Sequence, residues 1–575
     1  MMIPARHLAS TPARPAFRTG RRHAGARRRR AFILVIVMIV IMMLTLAGLS
    51  FVLNLTTENK AVHLQGTQLQ LKQTMASGVE LLRAVLDQSA EQREQEGGLR
   101  SNQSLFFGVD VPALEHSLEE TGFSVVSPVT DGERGDNVRY GLQNESIRLN
   151  LGVLLDWERD HPGSASEALM NLPGMSEAMA DAILDWIDPD DSPRPAGAEE
   201  AYYAGRGLPY GPRNGIPAVL EELLLVRDIA RLSLLGPDID LNYRVDTRER
   251  NLARDSPVAG DETPWAWLLT VHSAERNQTH EGEPRIYLNE PDLEELHEAL
   301  VEAFDESSAE FVIAYRQFGP YDSSLDFAGS SGSSSSSSSS SRSTSRGGSG
   351  RTSRRQVPSR VEFQLDLSLP AQFEIDSVLD LLGIQIAVPA QTDQAVQEED
   401  ERILLDSPFS GTAEGLRDAL AAWMDRTTTR DEPVIRGRIN VNQASREVLL
   451  GVPGLDSSLV EQIIAARPST SDRLEPAQRH PTWLLTEGLV DRDQMRDLLP
   501  YLTCGGDVYR GQVVAFDRNS GLTARGEVVL DATVSPPQQV YWKNLGLLGR
   551  GFTASEIGAD SRGRRSGSGN VTISW

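Results

Sequence analysis

One stretch limits what this chain can fold into more than any other. Ala31 to Leu53 carries no charged residue and follows directly on four arginines, Arg27 to Arg30. At about 1.5 Å of rise per residue, about twenty apolar residues reach roughly 30 Å, the thickness of a bilayer's hydrocarbon core. Nine arginines and no Asp or Glu precede position 31. The positive-inside rule therefore keeps residues 1–31, a basic leader, on the cytoplasmic side and exports the rest of the chain. A secretory signal peptide has a shorter apolar part, about 7–15 residues, and a small-residue cleavage site; Thr56-Thr57-Glu58-Asn59-Lys60 offers none.

A plain signal anchor and a leader cut on the cytoplasmic side both remain open. Arg30-Ala31-Phe32-Ile33-Leu34-Val35-Ile36 resembles a type IV prepilin-like leader, with Ala31 where that family has Gly. A cut between Ala31 and Phe32 makes Ile36 the fifth mature residue, where most pilins and pseudopilins have Glu.

Charge narrows the partners. The chain has 56 Lys and Arg against 81 Asp and Glu, a formal net charge of −25. Such a surface repels nucleic acid at long range and suits divalent cations or basic partners. Cys504 is the only cysteine, so no intrachain disulfide can form.

The helical pattern continues past the apolar run. Leu64, Leu71, Met75, Leu82 and Leu86 recur at four- and seven-residue steps, and no proline falls between Ala31 and Pro112. One continuous helix over residues 32–95 is expected, transmembrane over about 32–53 and amphipathic beyond. Residues 96–140 read as a first β segment around Phe123–Val126 and Val138–Leu142. Residues 141–245 read as helical, 263–325 as mixed, and 326–358 as a Ser/Arg/Gly-rich linker. A second mixed region, 359–409, contains the alternating strand pattern Val361–Leu367. A second helical unit spans 410–503. In 504–575, Gln512–Phe516, Ala524–Leu530 and Gln539–Trp542 read as strands, the first two joined by a turn at Asn519-Ser520-Gly521.

The helical parts repeat. Arg148-Leu149-Asn150-Leu151 leads to Leu172-Pro173-Gly174-Met175 and the helical run 176–187. Arg438-Ile439-Asn440-Val441-Asn442 leads to Val452-Pro453-Gly454-Leu455 and the run 456–466. A weaker third copy begins at Ile286-Tyr287-Leu288-Asn289. Pro173-Gly174 and Pro453-Gly454 make tight turns, since proline ends the preceding helix and glycine tolerates positive φ. Ser176 and Asp456 are candidate N-caps. The pattern is that of a helix–hairpin–helix. DNA-binding versions usually carry a second glycine where this chain has Ser176 and Asp456, so a structural or protein-docking role is favoured over nucleic-acid binding.

Between the first hairpin and Tyr202-Tyr203 lies an acidic, proline-stiffened loop. Asp188, Asp190 and Glu199 sit at positions 1, 3 and 12 of an EF-hand count, but position 6 is Pro193 where that loop needs glycine. With Asp191 they form a candidate calcium site rather than an EF-hand. Leu220–Ile229 reads as an amphipathic helix. The histidines show no metal-spaced pair and no phosphate-cradling glycine loop follows a strand, so no enzymatic activity is expected.

The order of Asp185-Trp186-Ile187-Asp188, Gly197-Ala198-Glu199 with Tyr202-Tyr203, Pro212-Arg213-Asn214-Gly215 and the segment Glu221–Arg227 resembles the minor pseudopilin K family of type II secretion. The hairpin at Arg438–Asn442 and the missing fifth-position Glu match that family too. The resemblance implies an α+β fold: a long N-terminal transmembrane and amphipathic helix, a pilin-like antiparallel sheet, and an inserted helical domain with helix–hairpin–helix repeats. It implies a single-pass inner-membrane protein with its N-terminus cytoplasmic and its head periplasmic. The expected role is to cap or initiate the pseudopilus tip during export of folded proteins across the outer membrane. Its expected partners are other minor pseudopilins and the prepilin peptidase. The competing reading is a membrane-anchored helix–hairpin–helix protein that binds DNA, as competence receptors do.

Overall fold

The proline-free stretch folds as one helix, α1, Ala26–Leu86. The computed structural model describes residues 26–111, 120–129, 138–253, 263–321, 365–389, 402–409, 413–468 and 474–560. Most of the basic leader, the Ser/Arg/Gly linker and Val361–Gln364 of the expected strand lie outside them. The chain divides into two compact units after Leu69. In the first, α1 presents apolar side chains to its surroundings from Phe32 to Leu55, and Leu64 is exposed as well. By length and composition this helix is a candidate membrane span.

In the second unit, Leu71, Met75, Leu82 and Leu86 are buried with Val79 and Val85, at the three- and four-residue steps of one helix face. The helix stops at Leu86, nine residues short of the expected end. Ser89 explains the stop: its hydroxyl accepts from the Gln92 N–H, and the Gln92 amide accepts from the Ser89 N–H, both at 3.3 Å. This reciprocal cap starts a second helix, α2, Ala90–Gln95.

The apolar face of α1 packs on a seven-stranded antiparallel sheet. Its strands are β1 (Val109–Asp110), β2 (Thr121–Pro128), β3 (Val138–Tyr140), β4 (Gln143–Asn144), β5 (Val508–Asp517), β6 (Thr523–Asp531) and β7 (Gln538–Asn544). The order is β1-β2-β5-β6-β7, with β3 on β2 and β4 on β5. The three expected C-terminal strands are all present, and Gly521, at φ 67°, closes the turn between the first two. Phe123, Val125, Val513, Ala515, Val528 and Leu530 share a core with α1, whereas Val126, Val514 and Phe516 pack with Phe552 and Ile557. The alternation of faces follows from the period of two. Gly78 lets α1 approach closely: a Cβ there would lie 2.7 Å from Val513 Cγ1.

Between β4 and β5, which pair directly at Asn144 and Tyr509, the chain makes an excursion of over 360 residues. The segments expected as separate helical and mixed domains share one core running from Ile147 to Cys504. A two-residue parallel strand pair recurs three times in it: Leu149-Asn150 with Leu269-Thr270, Ile286-Tyr287 with Thr427-Thr428, and Ile439-Asn440 with Leu502-Thr503. An arginine (Arg148, Arg285, Arg438) precedes each opening strand. In every copy the closing threonine hydroxyl accepts from the N–H two residues on, at 3.1 Å, from His272, Arg430 and Gly505. The middle copy contains the helix pair Leu293–Ala303 and Glu306–Phe318, joined through the capping Asp305 rather than a Pro-Gly turn.

Two expected elements differ. Leu220–Leu225 is a 3₁₀ turn, not the start of an α-helix through Ile229, and Asp228 at φ 60° ends any continuation. Leu365–Leu367 forms no strand; Leu365 and Leu367 instead pack against the helical core.

The junction between sheet and helical region is ionic. Glu145, fully buried, accepts from Arg510 Nε at 2.7 Å and lies 3.3 Å from Arg148 Nη1, and the Thr270 hydroxyl also donates to it. Burial opposes its charge, but Arg148 and Arg510 hold its carboxyl down at about 2.

Candidate functional site

The two Pro-Gly turns are built alike. Helix Ser164–Met170 runs to Pro173-Gly174, where Gly174 has φ 66°; Ser176 then accepts from the Met179 N–H at 3.3 Å and helix Glu177–Ile187 begins. Helix Arg446–Leu450 runs to Pro453-Gly454, with Gly454 at φ 85°, and Asp456 accepts from the Leu459 N–H at 2.8 Å to start Ser457–Ala466. Both glycines are exposed. The two helix pairs meet directly. Asn171 Nδ2 donates to the Leu450 carbonyl at 3.1 Å, and a Cβ on Gly451 would lie 3.2 Å from the Ala168 backbone.

The acidic loop folds back on the end of helix Glu177–Ile187. Asp185, fully buried, accepts from the Arg194 and Ala198 N–H groups, and Asp181 accepts from that of Ala196. This pins residues 194–198 and turns Glu199 inward. Glu199 is 4% exposed, and neither of its carboxylate oxygens has a hydrogen-bond partner among the described residues. Asp188 Oδ1 and Asn214 Oδ1 are likewise buried and unpartnered. Burial, and then repulsion from Asp185, Asp188, Asp191 and Asp190, push the Glu199 carboxyl up to about 7. Burial, with Asp190 and Asp185, pushes Asp188 up to about 6, against the pull of Arg194.

Of the four predicted residues, Asp188 and Glu199 are therefore inward and unsatisfied. Asp190 and Asp191 are exposed, the former accepting from the Ser192 N–H and the latter from Asn214 Nδ2. A surplus of oxygen acceptors, with no sulfur or imidazole among them, is the donor set of a hard cation such as Ca²⁺.

A second acidic group escaped the sequence reading. One oxygen each from Asp238, Asp240 and Glu249 lies within 4.8 Å of the others, a closeness that the predicted four do not reach. Asp238 accepts from the Asn242 and Tyr243 N–H groups, and Glu249 from those of Ile239, Asp240 and Asp246. Asp240 Oδ1 is buried without a partner. Burial first, with Asp240 and Glu249 adding to it, pushes the Asp238 carboxyl up to about 7. The missed signal is one of spacing. Asp238, Asp240, Asn242, Asp246 and Glu249 stand at positions 1, 3, 5, 9 and 12 of the EF-hand count. Position 6 is Tyr243, whose φ of 68° is the conformation glycine usually supplies. Counting from Asp238 as well as from Asp188 would have found it.

Residues 148–234, which contain the first Pro-Gly turn and the acidic loop, match the family model of the type II secretion system (T2SS), protein K. Over these residues the chain is similar to protein K of type II secretion. The resemblance read from Asp185–Arg227 is thereby borne out, while Asp238–Glu249 lies beyond the matched part of the protein K domain. No curated protein matches the chain. Among solved structures, a chain of the GspK-GspI-GspJ complex from the enterotoxigenic Escherichia coli type 2 secretion system aligns over 83% of this chain and 98% of its own. The identity is 10% and the TM-score 0.33.

Proposed function

We propose that this chain is a minor pseudopilin that caps or initiates the pseudopilus tip. In this reading α1 anchors it in the inner membrane, and its head lies in the periplasm beside other minor pseudopilins. The observation that carries the reading is a protein K domain set between adjacent strands of a sheet that packs on the C-terminal part of an apolar N-terminal helix. Ile36 supports a tip position: with no carboxylate at the fifth mature position, the subunit lacks the charge that shaft subunits carry there. The helix pairs read best as helix–hairpin–helix units that dock on each other, as the Asn171–Leu450 contact suggests, in a structural role rather than a catalytic one. Co-expression with candidate minor pseudopilins tests the reading: a stable complex carrying this chain supports it, and failure to co-purify with any of them counts against it. Mass spectrometry of the membrane-extracted protein should find a chain beginning at Phe32, cut by the prepilin peptidase; an intact arginine leader would refute processing. DNA retention that fades with added salt would favour the competence-receptor reading instead.

A cation-binding role rests on a separate observation, the unpartnered carboxylate of Glu199 beside Asp188. In this reading Ca²⁺ holds the acidic loop of the protein K domain, with Asp188, Glu199 and Asn214 supplying oxygens and Asp190 and Asp191 the surrounding negative charge. Calorimetric titration of chelator-stripped protein with Ca²⁺ tests it: loss of binding in Asp188→Ala supports it, and unchanged binding removes this site.

A further inference from the structure

A cleft of about 720 Å³ lies against the closing strands of the second and third strand pairs. Seven arginines and six carboxylates line it, in a chain where acidic residues outnumber basic ones 81 to 56. The charges are unevenly matched. Arg93 pairs with Asp507 at 3.4 Å, Arg438 with Glu275 at 3.1 Å, Arg479 with Glu94 at 2.9 Å and Arg496 with Asp376 at 3.1 Å. Among the described residues, Arg276, Arg285 and Arg430 have no carboxylate partner for their guanidinium groups. Arg285 donates only to the Asp425 carbonyl, and Arg276 to that of Ala532. The Asp425 carboxylate is engaged by the His280 N–H, and Asp497 faces the cleft without an arginine.

Several donors here lack an acceptor. Arg93 is only 9% exposed, yet among the described residues its buried Nη1 has no hydrogen-bond partner; Arg276 Nη2, Arg438 Nε and Arg479 Nε are in the same condition. These groups come from α2, the strand Ala274–Arg276, the segment before Ile439 and the 3₁₀ turn at Pro476–Arg479, so they converge from separate parts of the fold. Burial and then Arg285, Arg479 and His280 push the His480 imidazole down to about 3, which leaves it neutral.

We propose that this cleft binds a multivalent oxyanion, a ligand with two or more phosphate or carboxylate groups. Guanidinium forks match both oxyanions bidentately, and several spaced arginines favour a ligand with more than one charged group. The volume lies in the range of small-molecule sites, roughly 300–1,000 Å³. The site is independent of the acidic loop and of the pseudopilin reading.

Isothermal titration of the full-length protein in a neutral detergent tests it, with citrate and pyrophosphate as probes. Ionic strength is held constant and EGTA is present throughout, so that calcium chelation contributes nothing. At least one probe should bind saturably at one site. Arg285→Gln and Arg430→Gln should each weaken it about tenfold, the loss expected for one charge-assisted hydrogen bond, and Arg430→Gln should do so without moving the melting temperature. Binding of citrate alone assigns a polycarboxylate ligand, and of pyrophosphate alone a phosphate ligand. Should Arg285→Gln unfold, Arg430→Gln decides, because among the described residues its guanidinium has neither an ion pair nor a hydrogen bond to lose, whereas Arg285 donates to the Asp425 carbonyl. Absence of saturation with both probes, or unchanged affinity in Arg430→Gln, overturns the proposal.

Discussion

Replacing Glu199 with glutamine removes one negative charge while preserving shape, and the structure fixes both sign and size of the result. Glu199 sits at about 7 in the folded protein against an ordinary 4.5. A carboxyl whose folded value lies above its unfolded one costs nothing below the unfolded value and destabilises increasingly as pH rises through the folded one. At pH 8 without a bound cation, that cost approaches about 3 kcal/mol. Asp188 and Asp185 share the same repulsion, so roughly 2–3 kcal/mol is the figure for Glu199 alone. Glu199→Gln should therefore stabilise the chelator-treated protein at pH 8 and leave it almost unchanged at pH 5. If the core from Ile147 to Cys504 unfolds as one unit, this is roughly 3–4 °C in melting temperature. Calcium offsets this difference. At a hundred times its Kd a cation adds about 2.7 kcal/mol to the native state, and the glutamine variant should forfeit most of that. The assay is differential scanning fluorimetry at pH 5 and pH 8, with EGTA and with Ca²⁺. Identical pH profiles for variant and parent in EGTA would refute the reasoning about burial. Equal calcium shifts in both would refute Glu199 as a ligand.

Three further outcomes rest on the packing. Gly78→Val should destabilise by about 1–3 kcal/mol in chemical denaturation, because its Cβ would press on Val513 and Phe123; a neutral result would mean that α1 sits farther from the sheet. Glu145→Ala should cost about 3–5 kcal/mol, since it leaves Arg148 and Arg510 buried beside an empty position. Because Glu145 is held near 2, its contribution in the parent is present above about pH 4.5 and declines as pH falls towards 2, so acid denaturation should narrow the gap between the two proteins. Asn171→Ala should cost about 1 kcal/mol by loss of the hydrogen bond to the Leu450 carbonyl, read from the denaturation midpoint.

What could be read in the sequence was whatever depends on near neighbours. The buried face of α1 is legible because Leu71, Met75, Leu82 and Leu86 obey one period. The C-terminal strands are legible because β-rich runs flank the turn Asn519–Gly521. The Pro-Gly turns and their caps are local in the same sense. The end of α1 was missed because Ser89 and Gln92 stop the helix by mutual capping, without a proline or glycine to announce it. The parallel strand pairs were out of reach for a different reason. Each opening strand is two residues long, and Leu149 finds its partner Leu269 at a distance of 120 positions, so neither shows a run long enough to carry periodicity. The acidic loop was found from its density of carboxylates. Asp238–Glu249 was overlooked because its ligand-type residues are spread between Ile239, Leu241, Arg244 and Arg248, which dilute the acidic signal while leaving the spacing intact.

The insertion point explains how so large a helical region coexists with a small sheet. Asn144 and Tyr509 are register partners on β4 and β5, so the chain leaves the sheet and returns to it at adjacent positions. The sheet then needs only that two neighbouring ends be held together. Glu145 does this from the first residue after β4: it binds Arg510 on β5, Arg148 before the first opening strand, and Thr270 on the strand that closes that pair. One carboxylate thus joins the place where the chain leaves the sheet, the place where it returns, and the first closed unit of the insertion. The middle strand pair and its helices could be added between the outer two without disturbing that junction, since Ile286 and Thr427 pair with each other and not with the sheet. Damage inside the middle unit should therefore leave the sheet and α1 paired, whereas damage at Glu145 should loosen both regions at once.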